Sequence, residues 1–150
     1  MNRVYYTNNQ IKSYILTIAR QMYKDNYHPD YIVGIARGGI VPATMLSHYL
    51  EIPMYVLNKE ESNFWIPEDA LEGSKILVID DINDTGATLQ TLKNEWKSNQ
   101  GDWESILGFN VKFAVCIDNE SSEQAVDYYG HSINKLENPE WCVFPWENWW

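Results

Sequence analysis

Residues 76–89 read ILVIDDINDTGATL, and the side chains best suited to chemistry are concentrated there. An apolar strand delivers two adjacent carboxylates, Asp80 and Asp81, to its end. A turn carrying Asp84, Thr85, Gly86, Ala87 and Thr88 then runs straight into a helix. Small residues let a backbone approach a ligand closely, a helix N-terminus offers free N–H groups, and two threonines add hydroxyl donors. The segment therefore has the parts of a phosphate cradle. Carboxylates this close to a phosphate would repel it unless they held its Mg2+ or its sugar hydroxyls. The plainer alternative has the acids capping the helix and the threonines forming the turn. Three acids within five positions weigh against it.

A second segment of this kind is residues 35–42, IARGGIVP, where Arg37 precedes Gly38 and Gly39. A guanidinium fork suits phosphate oxygens, and the glycines leave the backbone approachable. Arginine is scarce: Arg3, Arg20 and Arg37 are the only three, and the chain carries 21 acids against 11 bases for a formal charge of -10. A broad nucleic-acid-binding face does not fit that balance. A polyanionic ligand would instead be held locally, by backbone N–H groups, a metal and a few placed cations.

The elements that must position these segments follow from the pattern of apolar residues. With 150 residues, 45% of them hydrophobic and 21% charged, the chain is read as one domain over 1–150 with its own core. Over 8–24, Ile11, Tyr14, Ile15, Ile18, Ala19 and Met22 recur at spacings of three and four, which predicts a helix ended by Asn26, His28 and Pro29. Strands are predicted at 31–36, 53–57, 75–80 and 111–117, and weaker ones at 127–133 and 141–144. Helices are predicted at 40–50, with Pro42 in the first turn, and at 87–97. Alternating apolar strands and helices predict an α/β fold: three layers, a mostly parallel sheet of about five strands, and helices on both faces. Ligands of such sheets sit beyond the carboxyl ends of the strands. The polar stretch 58–74 is long for a connection and is expected to act as a flexible lid. Its single base is Lys59, either a solvated lysine or one that reaches a ligand on closure, and its Trp65 would cover the site or meet a partner.

Three further features limit the options. Cys116 and Cys142 stand apart in apolar runs with no histidine cluster nearby, which argues against zinc and a disulfide framework. No stretch has the length of a signal peptide or a membrane span, so a cytoplasmic location is expected. Trp149 and Trp150 would be costly to expose, which points to a homo-oligomer.

VIDDINDTGAT resembles the ribose-phosphate loop of the type I phosphoribosyltransferases, two acids followed by a small, hydroxyl-rich turn. IARGGIVP is similar to the pyrophosphate loop of their xanthine/guanine/hypoxanthine branch. Residues 141–147, WCVFPWE, look like that branch's base-binding segment, which would extend over about 118–147. The resemblance implies an Mg2+-dependent enzyme that moves the 5-phosphoribosyl group of phosphoribosyl pyrophosphate to a 6-oxopurine, releasing pyrophosphate. It further implies that Asp80 and Asp81 hold the ribose hydroxyls, directly or through Mg2+, and that the N–H groups of 84–88 with the hydroxyls of Thr85 and Thr88 bind the 5-phosphate. Arg37 and the N–H groups of Gly38 and Gly39 receive pyrophosphate, with an unusual backbone conformation at Ala36–Arg37 such as a non-proline cis peptide. Asp84 exchanges the proton at N7 of the base. Trp141 stacks on the base or packs in the core of the last strand, the carbonyl of Cys142 faces the purine edge, and Glu147 meets an exocyclic group or solvent. The family's lysine for O6 is expected just after the fourth strand, where 116–122 reads CIDNESS. Asn119 takes its place as an uncharged donor. Two rivals accompany this assignment: a non-catalytic sensor of phosphoribosyl pyrophosphate on the same fold, and a phosphoribosyltransferase for another base.

Overall fold

The computed structural model describes residues 2–60, 65–99 and 103–147. In chain order the elements are β1 (Asn2–Tyr5), α1 (Asn8–Lys24), β2 (Tyr31–Ile35), α2 (Ile40–Leu50), β3 (Met54–Leu57), α3 (Trp65–Leu71), β4 (Ile76–Asn83), α4 (Ala87–Asn99), α5 (Trp103–Ile106), β5 (Val111–Asn119), β6 (Tyr128–Ile133) and β7 (Glu140–Val143). Five strands form one sheet in the order β3-β2-β4-β5-β6, every neighbouring pair parallel. The predicted α/β architecture with helices on both faces is the one observed.

Strand periodicity divides the core. Leu77 and Ile79 of β4 face α1 and α2, joining Ile11, Ile15, Ile18, Ala43 and Leu46. Ile76 and Val78 face the other way, toward Ile66 and Ala70 of α3 and Leu89, Leu92 and Trp96 of α4. Both faces of the strand are thus buried, as the unbroken apolar run KILVID implies. Helix α1 begins where the sequence says it should because Thr7 and Gln10 cap each other: the Gln10 N–H donates to Thr7 Oγ1 at 3.1 Å and the Thr7 N–H donates to Gln10 Oε1 at 2.8 Å.

Three expectations need correction. First, β4 does not stop at Asp80. It runs to Asn83, because its pairing with β5 continues through Ile82 opposite Ile117 and Asn83 opposite Asp118. Second, the weak strand near 141–144 is real but lies outside the main sheet. It pairs in parallel with β1, a strand that the half-polar sequence NRVY conceals, with Val4 opposite Cys142. Third, 58–74 is not one flexible loop. Its second half is α3, whose Ile66, Pro67 and Ala70 are buried, and Tyr31 Oη anchors it by donating to Asp69 Oδ2 at 2.7 Å. Trp65 sits in an aromatic group with Tyr31 and Tyr55, centroids 5.9 and 6.1 Å away, rather than over a ligand site. Residues 61–64 of the expected lid and the terminal Trp149 and Trp150 lie outside the described residues. Among the described residues, no helix is long and apolar enough to cross a membrane.

Candidate active site

The carboxyl ends of β2 and β4 carry the two sequence segments to the same place. A cavity of about 250 Å3 opens there, lined by Ala36, Arg37 and Gly38 from the β2–α2 turn, Lys59 from beyond β3, and residues 80–89 of β4 and its following turn. A neighbouring cavity of about 720 Å3 shares Arg37, Gly38 and Asp81 and is closed by Trp146 and Glu147. The Ala36–Arg37 peptide is cis, as expected.

The two glycines after Arg37 do different jobs. A Cβ on Gly38 would come within 2.0 Å of Asp81 Oδ2, so this glycine lets the β2–α2 turn close onto the acid pair. Gly39 is buried against the sheet, where a Cβ would meet the Ile79 carbonyl at 2.4 Å, and its N–H is spent on the Ile35 carbonyl at 2.8 Å. The expectation that both glycine N–H groups receive an anion is therefore corrected: the Gly39 N–H is a structural hydrogen bond, and Gly38 is left to face the cavity. In the second turn, Gly86 has φ +93°, a conformation other residues adopt only with strain. Thr85 Oγ1 accepts from the Ala87 N–H at 3.2 Å, while Thr88 Oγ1 accepts from Lys59 Nζ at 3.3 Å. Lys59 thus stands at the cavity as an exposed side chain.

Asp80 and Asp81 stand at the floor. The Asp81 N–H donates to Asp80 Oδ1 at 2.8 Å, and the Ile82 N–H donates to Asp81 Oδ1 at 2.7 Å. Burial, and then the neighbouring Asp81 charge, hold the Asp80 carboxyl well above the usual carboxylate range. Burial likewise raises Asp81, against the opposing effects of its hydrogen bonds and of Lys59. A buried acid beside a half-buried one, both resisting ionisation, is a site short of positive charge, which suits a divalent cation. Mg2+ needs few protein carboxylates when a ligand's phosphates complete its shell. Among the described residues no cluster of three or more His, Cys, Asp or Glu side chains offers an all-protein metal cage.

The raised carboxyl has a measurable consequence for the free protein. An acid whose folded value lies above its unfolded one stabilises the fold below its unfolded value, and that stability is lost as pH rises through the folded value. Asp80→Asn removes the loss. Relieving a buried uncompensated charge is worth about 1–3 kcal/mol, so the variant should melt about 2–10 °C higher at neutral pH for a chain of this length. The difference between variant and parent should shrink as the pH falls toward 4, as scanning calorimetry would show.

The base-binding assignments fare unevenly. Trp141 is 54% exposed, so it is available to a ligand and is not a core residue of β7. Cys142 is buried, its thiol 3.7 Å from Glu140 Oε1 and pushed up to about 11, chiefly by burial. Only its backbone is left for recognition. Trp146 stacks on Phe144 at 4.9 Å, a packing role. Glu147 comes to the cavity it shares with Arg37 and Asp81, and its carboxyl is raised by partial burial and by Asp81. Asn119 is 5% exposed, and its amide is engaged by the chain itself: Nδ2 donates to the Asp84 carbonyl at 2.8 Å, and Oδ1 accepts from the Lys135 N–H at 3.0 Å. It is therefore not the free donor that its place in the sequence suggests.

The cation missing from CIDNESS enters from another element. Lys135, in the loop after β6, puts Nζ 3.0 Å from Asp84 Oδ2 and 5.8 Å from the centroid of the Trp141 ring. It lies 51 positions from Asp84 in the chain, within a polar stretch, NKLENPE, that carries no motif. Nothing local in the sequence marks it; only the pairing of β6 with β5, Asn119 opposite Ile133, brings that loop to the site.

Comparison with known proteins agrees with this geometry. A family model described as the phosphoribosyl transferase domain matches residues 3–148. The xanthine-guanine phosphoribosyltransferase of Cereibacter sphaeroides is 28% identical over 128 residues, covering 77% of this chain and 68% of that one. The orotate phosphoribosyltransferase of Brucella anthropi is 29% identical over 97 residues, 64% of this chain, and the match spans about half of that relative's length. Among solved structures, the purine phosphoribosyltransferase of Pyrococcus horikoshii superposes with a TM-score of 0.71 at 27% identity, covering 99% of this chain and 95% of that one. The xanthine-guanine-hypoxanthine enzyme of Helicobacter pylori gives 0.73 at 23% identity over 97% and 94% of the two chains, a likeness of fold. With two anion-type turns and an acid pair at one sheet end and a family match over nearly its whole length, the chain belongs to the phosphoribosyl transferase domain family.

Proposed function

We propose that this protein transfers the 5-phosphoribosyl group from phosphoribosyl pyrophosphate to a 6-oxopurine, giving a nucleoside monophosphate and pyrophosphate. The observation that carries this choice of acceptor is the pairing of Asp84 with Lys135 beside the exposed Trp141. A carboxylate next to an ammonium matches an edge that presents a ring N–H next to a carbonyl, as N7–H and O6 of a 6-oxopurine do. An adenine would set its amino group against the ammonium, with no hydrogen bond to make.

The division of labour follows from the lining of the site. The turn 84–88 takes the 5-phosphate through its N–H groups and the hydroxyls of Thr85 and Thr88, with Lys59 beside Thr88 supplying charge. Asp80 and Asp81 take the ribose hydroxyls and would hold Mg2+, which when bound neutralises phosphate charge. Arg37 and the Gly38 N–H receive the departing pyrophosphate. As the bond at C1 of the ribose breaks, its ring oxygen shares the positive charge, and the protein contributes chiefly positioning and electrostatics. Asp84 accepts the proton leaving N7, while Trp141 holds the ring plane. The cytoplasm, where nucleobases and phosphoribosyl pyrophosphate are available, is the location that fits this chemistry.

A charged hydrogen bond is worth about 1.5–3 kcal/mol. Lys135→Met should therefore raise the KM for the oxopurine about 10- to 100-fold while leaving the affinity for phosphoribosyl pyrophosphate within about twofold. Steady-state kinetics with each substrate varied in turn would check this; an unchanged oxopurine KM would remove Lys135 from the base site. The orotate relatives favour a second acceptor, since an ammonium also pairs with a pyrimidine carboxylate. That acceptor would show the same dependence on Lys135 with orotate in place of the purine.

A further inference from the structure

Asn119 lies at the end of β5, 5% exposed, between the two segments that carry the acceptor-reading pair. Its Nδ2 donates 2.8 Å to the carbonyl of Asp84. Its Oδ1 accepts from the N–H of Lys135 at 3.0 Å and from the Ser121 hydroxyl at 3.0 Å. The two ends of one amide thus hold the backbones of the carboxylate and of the ammonium, whose side chains are themselves paired at 3.0 Å. Apart from the Lys135 side chain's pair with Asp84 and its approach to the Trp141 ring, the other bonds of this loop are its own, Leu136 N–H to Asn134 Oδ1 and Asn138 N–H to the Asn134 carbonyl, and Leu136 is 83% exposed. A neutral carboxamide, with a donor on one branch and an acceptor on the other, can do both tasks.

We propose that Asn119 is a positioning residue that fixes the distance between Asp84 and Lys135, and so tunes how well the site fits an acceptor's adjacent N–H and carbonyl. This rests on the acceptor reading above. Misplacement by about 1 Å at a reacting pair costs on the order of 10²-fold. Asn119→Ala should therefore lower kcat/KM for the oxopurine by about 10- to 100-fold, with a several-fold smaller loss of phosphoribosyl pyrophosphate binding, since the amide also supports the Asp84 end of the phosphate turn. A general packing defect would lower both equally.

The discriminating experiment is a double-mutant cycle with amide exchange as an independent arm. In a Lys135→Met background there is no cation left to place, so Asn119→Ala should cost several-fold less there than in the parent, a non-additivity that residues acting as a unit display. Equal losses in both backgrounds, or a matching loss of phosphoribosyl pyrophosphate binding, would overturn the proposal. The second arm needs neither turnover nor a variant: in the free parent protein the Lys135 amide should exchange much more slowly than the exposed Glu137 amide in the same loop, and fast exchange at Lys135 would overturn it as well. If the parent turns over no oxopurine, the acceptor reading fails while the exchange arm still decides whether Asn119 holds the loop. Asn119→Ser serves where the alanine variant does not fold, and it should give the same ordering of effects.

Discussion

Asp84→Asn should lower kcat with a 6-oxopurine by roughly 10²- to 10⁴-fold, the range over which a placed general acid or base acts. The substitution keeps the size of the side chain and an acceptor oxygen but cannot take the N7 proton. The phosphate turn should survive it, since that turn is made from backbone N–H groups and the hydroxyls of Thr85 and Thr88. The lost pair with Lys135 is partly exposed, with the Asp84 side chain 41% accessible, and such pairs are worth about 1 kcal/mol or less. Thermal stabilisation by phosphoribosyl pyrophosphate with Mg2+ should therefore be nearly that of the parent. Single-turnover rates beside melting curves would separate the two effects, and a variant that keeps its kcat would leave Asp84 only as a partner of Lys135.

Removing Arg37 should cost almost as much by a different route. It lines both cavities at the sheet end and belongs to the only arginine-bearing turn of the site. In the proposed reaction its fork would meet the charge that accumulates as pyrophosphate departs, and one such donor is worth about 10²–10³ in kcat. Arg37→Ala should lose that factor, whereas Arg37→Lys should recover part of it, because an ammonium restores the charge but not the paired geometry. The two variants should differ mainly in kcat, and pyrophosphate release under saturating substrate would measure it. Equal activity of all three proteins would take Arg37 out of the reaction.

The end of the site that the proposed reaction gives to phosphate was legible in the sequence because each of its parts is local. Asp80 to Thr88 occupy a single strand and turn, and Arg37 to Gly39 another, so spacing alone places them beyond strand ends. The glycines were readable as a class but not one by one: whether an N–H faces a ligand or the Ile35 carbonyl depends on how closely α2 approaches Ile79. The end proposed to take the base was less legible for the same physical reason. Lys135 reaches Asp84 through strand pairing over a long separation, and Asn119, readable as a polar side chain near the site, gives up its amide to the backbone. Strand β1, and with it the pairing of β7, went unseen because a four-residue half-polar strand has no pattern to detect, and α3 was hidden by Pro67, which a helix tolerates in its first turn.

The most direct measurement is pyrophosphate release from phosphoribosyl pyrophosphate and Mg2+ with hypoxanthine, guanine, xanthine, adenine and orotate supplied one at a time. Turnover with one or more of the three oxopurines, well above that with adenine or orotate, is the predicted result. Tight binding of phosphoribosyl pyrophosphate with no turnover on any base would contradict it and make the protein a sensor, and turnover on orotate or adenine alone would contradict the choice of acceptor.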